Sequence, residues 1–71
     1  MDKNKALKYY TMAANQGDAE AQNSLGVMYI TGEGAECDSG EAQRFWELAA
    51  AQGHQGAQTN LARLKSENAR R

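Results

Sequence analysis

Apolar residues along this chain recur at helical spacing, not in the alternation of a strand. Ala6, Tyr9, Tyr10 and Ala13 stand at i, i+3, i+4 and i+7, which is one face of a helix. Ala21, Leu25, Met28 and Tyr29 form a second stripe, and Ala57, Leu61 and Leu64 echo it near the other end. Between the first two stripes lies Gln16-Gly17-Asp18. Glycine adopts the left-handed backbone that closes a helix C-terminus, and an aspartate side chain caps the N-terminus of the next helix. No proline interrupts either pattern.

The pattern is written twice. AANQGDAEAQ, residues 13–22, returns as AAAQGHQGAQ, residues 49–58. At that offset of 36 positions Asp2 meets Asp38, Ala6 meets Ala42, and Tyr9-Tyr10 meets Phe45-Trp46. Ala13-Ala14 meets Ala49-Ala50, Gln16-Gly17 meets Gln52-Gly53, and Ala21, Gln22 and Leu25 meet Ala57, Gln58 and Leu61. A fixed period of roughly 20 to 50 residues is the mark of a solenoid repeat. The spacing therefore predicts an all-α fold of four helices, arranged as two stacked antiparallel αα-hairpins; that they wind as a short right-handed superhelix is what the family resemblance named below implies. It is read as one domain over residues 1–71, with repeat one at 2–37 and repeat two at 38–71. The duplicated ten residues are the elbow of each hairpin, where alanines let two helix axes approach closely. Asp2 is the expected N-cap of the first helix. Asp38, with Glu41 three residues on, is an acidic variant of the capping box. His54 replaces Asp18 in the second elbow and is the weaker cap. TGEGAECDSG, residues 31–40, is rich in turn residues and reads as the connector between units. The aromatics are expected to pack between neighbouring helices, with room for one of them to stay partly exposed as an anchor.

Composition narrows the function classes. Eight Lys or Arg against nine Asp or Glu leave a net charge of −1, which predicts no nucleic-acid surface. No apolar run approaches the roughly 18 to 20 residues of a membrane span, and MDKNKALKYY lacks the apolar core of a signal peptide. No membrane role is expected, and with the lone Cys37 a cytoplasmic setting is favoured. The Gly32 and Gly34 pair is no phosphate loop: no strand precedes it and no Lys-Ser/Thr follows. One Cys and one His cannot close a zinc site, and no catalytic triad is legible around Cys37 and His54. The expectation is a non-enzyme that needs no cofactor and no metal.

The chain resembles the Sel-one-like repeat family, a relative of the tetratricopeptide repeat. The residues that carry the resemblance are Ala6, Tyr9-Tyr10, Ala13-Ala14, Gln16-Gly17, Ala21-Gln22, Leu25-Gly26, Tyr29, Gly32 and Gly34, and Asp38 with Ala42. Phe45-Trp46, Ala49-Ala50, Gln52-Gly53, Ala57-Gln58 and Leu61 repeat it. The tetratricopeptide period is 34 with a proline at the unit end, so the offset of 36 and the missing proline favour the Sel-one-like family. Copy two departs near its end: Gly26 becomes Ala62, Val27 becomes Arg63 and Tyr29 becomes Lys65. The polar run KSENARR that follows looks like a solenoid terminus.

The resemblance implies an adaptor that holds a protein or peptide partner, as such proteins do in bacterial signalling, host interaction and protein quality control. A cysteine-rich branch of the family is associated with cell-wall or β-lactam binding. This chain lacks the paired cysteines, so that role is not carried over. Stacked hairpins present the first helix of each unit along a concave side. The matched positions proposed to line it are Lys8, Met12, Arg44, Leu48 and Gln52. The competing reading buries Met12 and Leu48 in the core and leaves Lys8 and Arg44 as plain solvated surface. An alternative function is structural self-association. Two hairpins leave helical faces open at both ends, and a homodimer, or adjoining repeats in a longer array, would cover them.

Overall fold

The computed structural model describes the backbone of residues 3–69 and the side chains of residues 4–67. It contains four helices: α1 (Lys3–Asn15), α2 (Ala19–Thr31), α3 (Ser39–Ala51) and α4 (Gln55–Ala69). Consecutive helices pack on one another, α1 on α2, α2 on α3 and α3 on α4. The result is two hairpins side by side, with α2 and α3 as the inner pair.

Both elbows close by the same device. Gly17 has φ +91° and Gly53 has φ +88°. Gly17 N–H donates to Ala14 C=O and Asp18 N–H reaches back to Ala13 C=O at 3.1 Å, a Schellman closure. In the second elbow Gly53 bonds Ala50 and His54 bonds Ala49 in the same way. Asp18 then accepts the Ala21 N–H at 3.1 Å and starts α2. Asp38 accepts the Glu41 N–H at 3.1 Å and starts α3. The Glu41 side chain does not complete a reciprocal box; it pairs with Arg44. His54 caps α4 through Nδ1, which accepts the Ala57 N–H at 3.0 Å. The imidazole thus takes up the role of the aspartate it replaces. The expected cap at Asp2 lies outside the described residues. The connector begins at Gly32, whose φ of +76° ends α2, and it is tied back by Asp38 N–H donating to Tyr29 C=O.

Two apolar clusters hold the hairpins together. Ala14, Ala21, Leu25 and Phe45 form one, so an aromatic of α3 sits in the core of the first hairpin. Ala42, Trp46, Ala49, Ala57 and Leu64 form the other. Tyr29 stacks on Phe45, with centroids 5.9 Å apart and planes at 8°. Polar links cross the same seam. Gln52 Nε2 donates to Gln22 Oε1, Asn60 Nδ2 to Asn23 Oδ1, and Trp46 Nε1 to the Asn23 carbonyl. His54 Nε2 meets Glu20 at 2.9 Å. With Nδ1 engaged as a cap acceptor, Nε2 carries the proton toward that carboxylate. Leu25 is wholly buried, and its truncation to Ala would remove about 2 to 5 kcal/mol.

Candidate functional site

The two first helices carry the candidate residues, and the two copies can be compared position by position. Lys8 and Met12 project from α1, and Arg44 and Leu48 from α3; all four are exposed. Met12 is 65% exposed and Leu48 is 44% exposed. Neither belongs to the core, which removes the reading that buries them. Leu48 stays open although a complete hairpin precedes it, so exposure here is a property of the position and not of an uncovered end. Large apolar side chains held in water at matched positions are the observation that needs an explanation.

Arg44 is more ordered than its exposure suggests. Its guanidinium lies 4.3 Å from the Phe45 ring centroid and donates to both Glu41 oxygens, at 3.3 and 3.1 Å. The hydrogen bond it donates to Glu41 raises the pKa of the guanidinium above its ordinary value. Arg44 is therefore a fixed positive charge beside the exposed Leu48. Gln52 is turned to a different task. Its amide donates to Gln22 Oε1 at 3.0 Å, and Gln22 in turn donates to the Ala14 carbonyl at 3.2 Å. A residue placed on the candidate line by its register thus also joins the two hairpins. Lys8 enters no ion pair among the described residues.

The aromatics divide unequally. Phe45 and Trp46 are buried and Tyr10 is half-buried, whereas Tyr9 is 61% exposed and meets Tyr10 edge-on at 5.5 Å. The expectation that one aromatic stays outside is met by Tyr9. The connector also does more than join. With Leu7 and Tyr29, the residues Glu36, Cys37, Asp38 and Glu41 line an open cleft of about 400 Å³. Sequence reasoning passed over this cleft because its walls come from α1, α2, the connector and the first turn of α3, which the repeat register does not bring together. Cys37 is exposed and its thiol donates to the Ile30 carbonyl at 3.6 Å. His54 is occupied by its cap and by Glu20. Among the described residues no cluster of three or more metal-ligating side chains occurs, and no helix is long and apolar enough to cross a membrane.

Comparison with known proteins agrees with this architecture. The family described as Sel1 repeat matches residues 2–18 and 19–54. The chain is 38% identical over 64 residues to the DAP3-binding cell death enhancer 1 of Rattus norvegicus, covering 90% of this chain and 13% of that protein. The Mus musculus protein of the same name is also 38% identical over 64 residues, 12% of its length. The chain therefore spans only about an eighth of the curated relatives it matches. No solved structure matches it significantly. Repeated small residues at the elbows, aromatics between hairpins and a profile match over most of the chain lead to one statement: this protein belongs to the Sel1 repeat family, whose helical repeats typically mediate protein–protein interaction.

Proposed function

We propose that the chain is an adaptor module that binds a peptide or helix of a protein partner along the exposed line of α1 and α3, with Met12 and Leu48 as apolar anchors and Lys8 and Arg44 beside them. The observation that carries this reading is the exposure of Met12 and Leu48 at equivalent positions of both repeats, one of them with a full hairpin in front of it. Exposed apolar anchors flanked by charge suit a segment that brings apolar side chains and carboxylates on one face. Gln52 has its amide committed to Gln22, so it would shape the end of the line without leading recognition. The rat and mouse relatives are named for binding DAP3, which makes DAP3 the first full-length protein to titrate against this chain.

A displayed peptide library selected on the purified chain tests the surface without naming the partner in advance. Peptides that survive selection are expected to lose at least about tenfold in affinity on a Met12→Glu/Leu48→Glu double variant. They should be unaffected by Val27→Glu, which changes an exposed apolar residue of α2. Selected peptides that bind the double variant and the parent alike would overturn the proposed line.

A further inference from the structure

The first helices of the two hairpins share a register and differ in charge. Lys5, Lys8 and Met12 stand at i, i+3 and i+7 on α1, and their equivalents on α3 are Glu41, Arg44 and Leu48. No aspartate or glutamate occurs between Lys3 and Asn15. Lys5 and Lys8 are both exposed, and neither enters an ion pair among the described residues. The exposed charge of α1 is therefore of one sign. On the α3 side the balance is reversed. Arg44 is answered by Glu41, which accepts both of its hydrogen bonds. Glu36 and Glu47 are exposed and enter no ion pair among the described residues, and Asp38 adds a further carboxylate at the α3 cap.

Glu36, Asp38 and Glu41 line the open cleft of about 400 Å³ together with Leu7 of α1 and Tyr29 of α2. Leu7 precedes Lys8, and Glu41 bonds Arg44, so the cleft adjoins the binding line at both helices. Leu7 and Tyr29 also pack on the core, which fixes the apolar part of the lining from beneath. A lysine or arginine side chain suits this chemistry: its methylene stem covers Leu7 and Tyr29 while its cationic head reaches the carboxylates. The apolar anchors alone do not set the direction of a bound segment, because methionine and leucine are close in volume and both are exposed here.

We infer that the line reads charge order: the partner segment lays carboxylates on α1 against Lys5 and Lys8, and inserts a lysine or arginine into the cleft at the start of α3. This polarity rests on the binding line proposed above and gives it one docking direction. A segment lying the other way would set carboxylates beside Glu36 and Glu41 and a cation beside Lys8, and each like-charge meeting weakens the complex.

The probes are the displayed peptides selected on the parent chain. Those that depend on Met12 and Leu48 are expected to gather Asp or Glu toward one end and to hold Lys or Arg at the other. Exchanging acids for bases in such a peptide, with its apolar residues kept, should weaken binding at least about tenfold. A Lys5→Glu/Lys8→Glu/Glu36→Lys chain should prefer the exchanged peptide over the original. All three positions are exposed and none caps a helix, so its melting temperature should stay within about 2 °C of the parent. Cys37, the one cysteine of the chain, lines the cleft and reports its filling. A saturating peptide should slow its alkylation by iodoacetamide at least about threefold, and the same peptide with its Lys or Arg changed to Ala should not. Peptides that need Met12 and Leu48 yet bind equally in either charge order would overturn the polarity and leave the line standing. Unchanged Cys37 alkylation would overturn the place given to the basic residue. Peptides that follow charge order but ignore Met12→Glu/Leu48→Glu would support the polarity and overturn the anchors, and peptides sensitive to neither would overturn both.

Discussion

Helices α2 and α4 are written almost alike at their starts and live in different surroundings. Both open with an alanine and a glutamine at matching positions, Ala21-Gln22 and Ala57-Gln58. Each glutamine side chain donates to a carbonyl of the preceding helix at 3.2 Å, Gln22 to Ala14 and Gln58 to Ala50. The geometry is the same, but Gln22 is buried and Gln58 is exposed, because α2 lies between α1 and α3 whereas α4 packs mainly on α3. Further along, α2 carries Gly26 and Tyr29 under the aromatics of α3, while α4 carries Ala62 and Lys65. A repeated motif therefore secures a repeated conformation, and its energetic weight depends on what lies on top of it.

The sharpest way to break the comparison is Gly26→Ala. The new methyl group collides with the Trp46 ring, so a loss of about 3 kcal/mol is expected in urea unfolding. The mirror change, Ala62→Gly, lies on an exposed helix surface and should lose only about 0.5 to 1 kcal/mol through helix propensity. Equal effects at the two sites would show that Trp46 does not lie where it is described. Next in size are Gly17→Val and Gly53→Val, about 1 to 3 kcal/mol each from backbone strain at positive φ. Nothing lies within 4 Å of a Cβ at either glycine, so the two effects should match; a Gly17→Val chain that melts with the parent would refute the elbow.

The glutamine pair gives a finer contrast. Gln22→Ala removes two hydrogen bonds of about 0.5 to 1.5 kcal/mol each, one to the Ala14 carbonyl, which keeps its bond from Gly17 N–H, and one from Gln52 across the seam, so about 1 to 3 kcal/mol should be lost. Gln58→Ala removes an exposed bond and should change stability by less than about 0.5 kcal/mol. Smallest is the difference between the caps. Asp18→Ala and His54→Ala should each lose about 1 kcal/mol, since each removes one acceptor for a helix N-terminus. The additional His54–Glu20 contact has a largely exposed carboxylate, and thermal melts of Glu20→Gln should shift little.

The letters alone carry the four helices, their elbows and their pairing into hairpins. These rest on local rules: helical spacing of apolar residues, glycine where φ is positive, and a side-chain acceptor before each helix. Those rules act within a few residues, so a single chain with an internal repeat spells them out twice. The register paired Lys8 with Arg44 and Met12 with Leu48 but left open whether Met12 and Leu48 are exposed or in the core; their exposure was settled only by the packing. Three things depended on how distant segments meet. The amide of Gln52 is spent across the seam on Gln22, a partner in the other hairpin. His54 caps α4 through Nδ1 while its other nitrogen faces Glu20, 34 positions away in sequence. Tyr9 and Phe45 occupy the same position of the repeat, yet one is exposed and the other buried. Periodicity makes equivalent residues look alike, whereas burial depends on the neighbour that covers them, and that neighbour is set only when the hairpins pack.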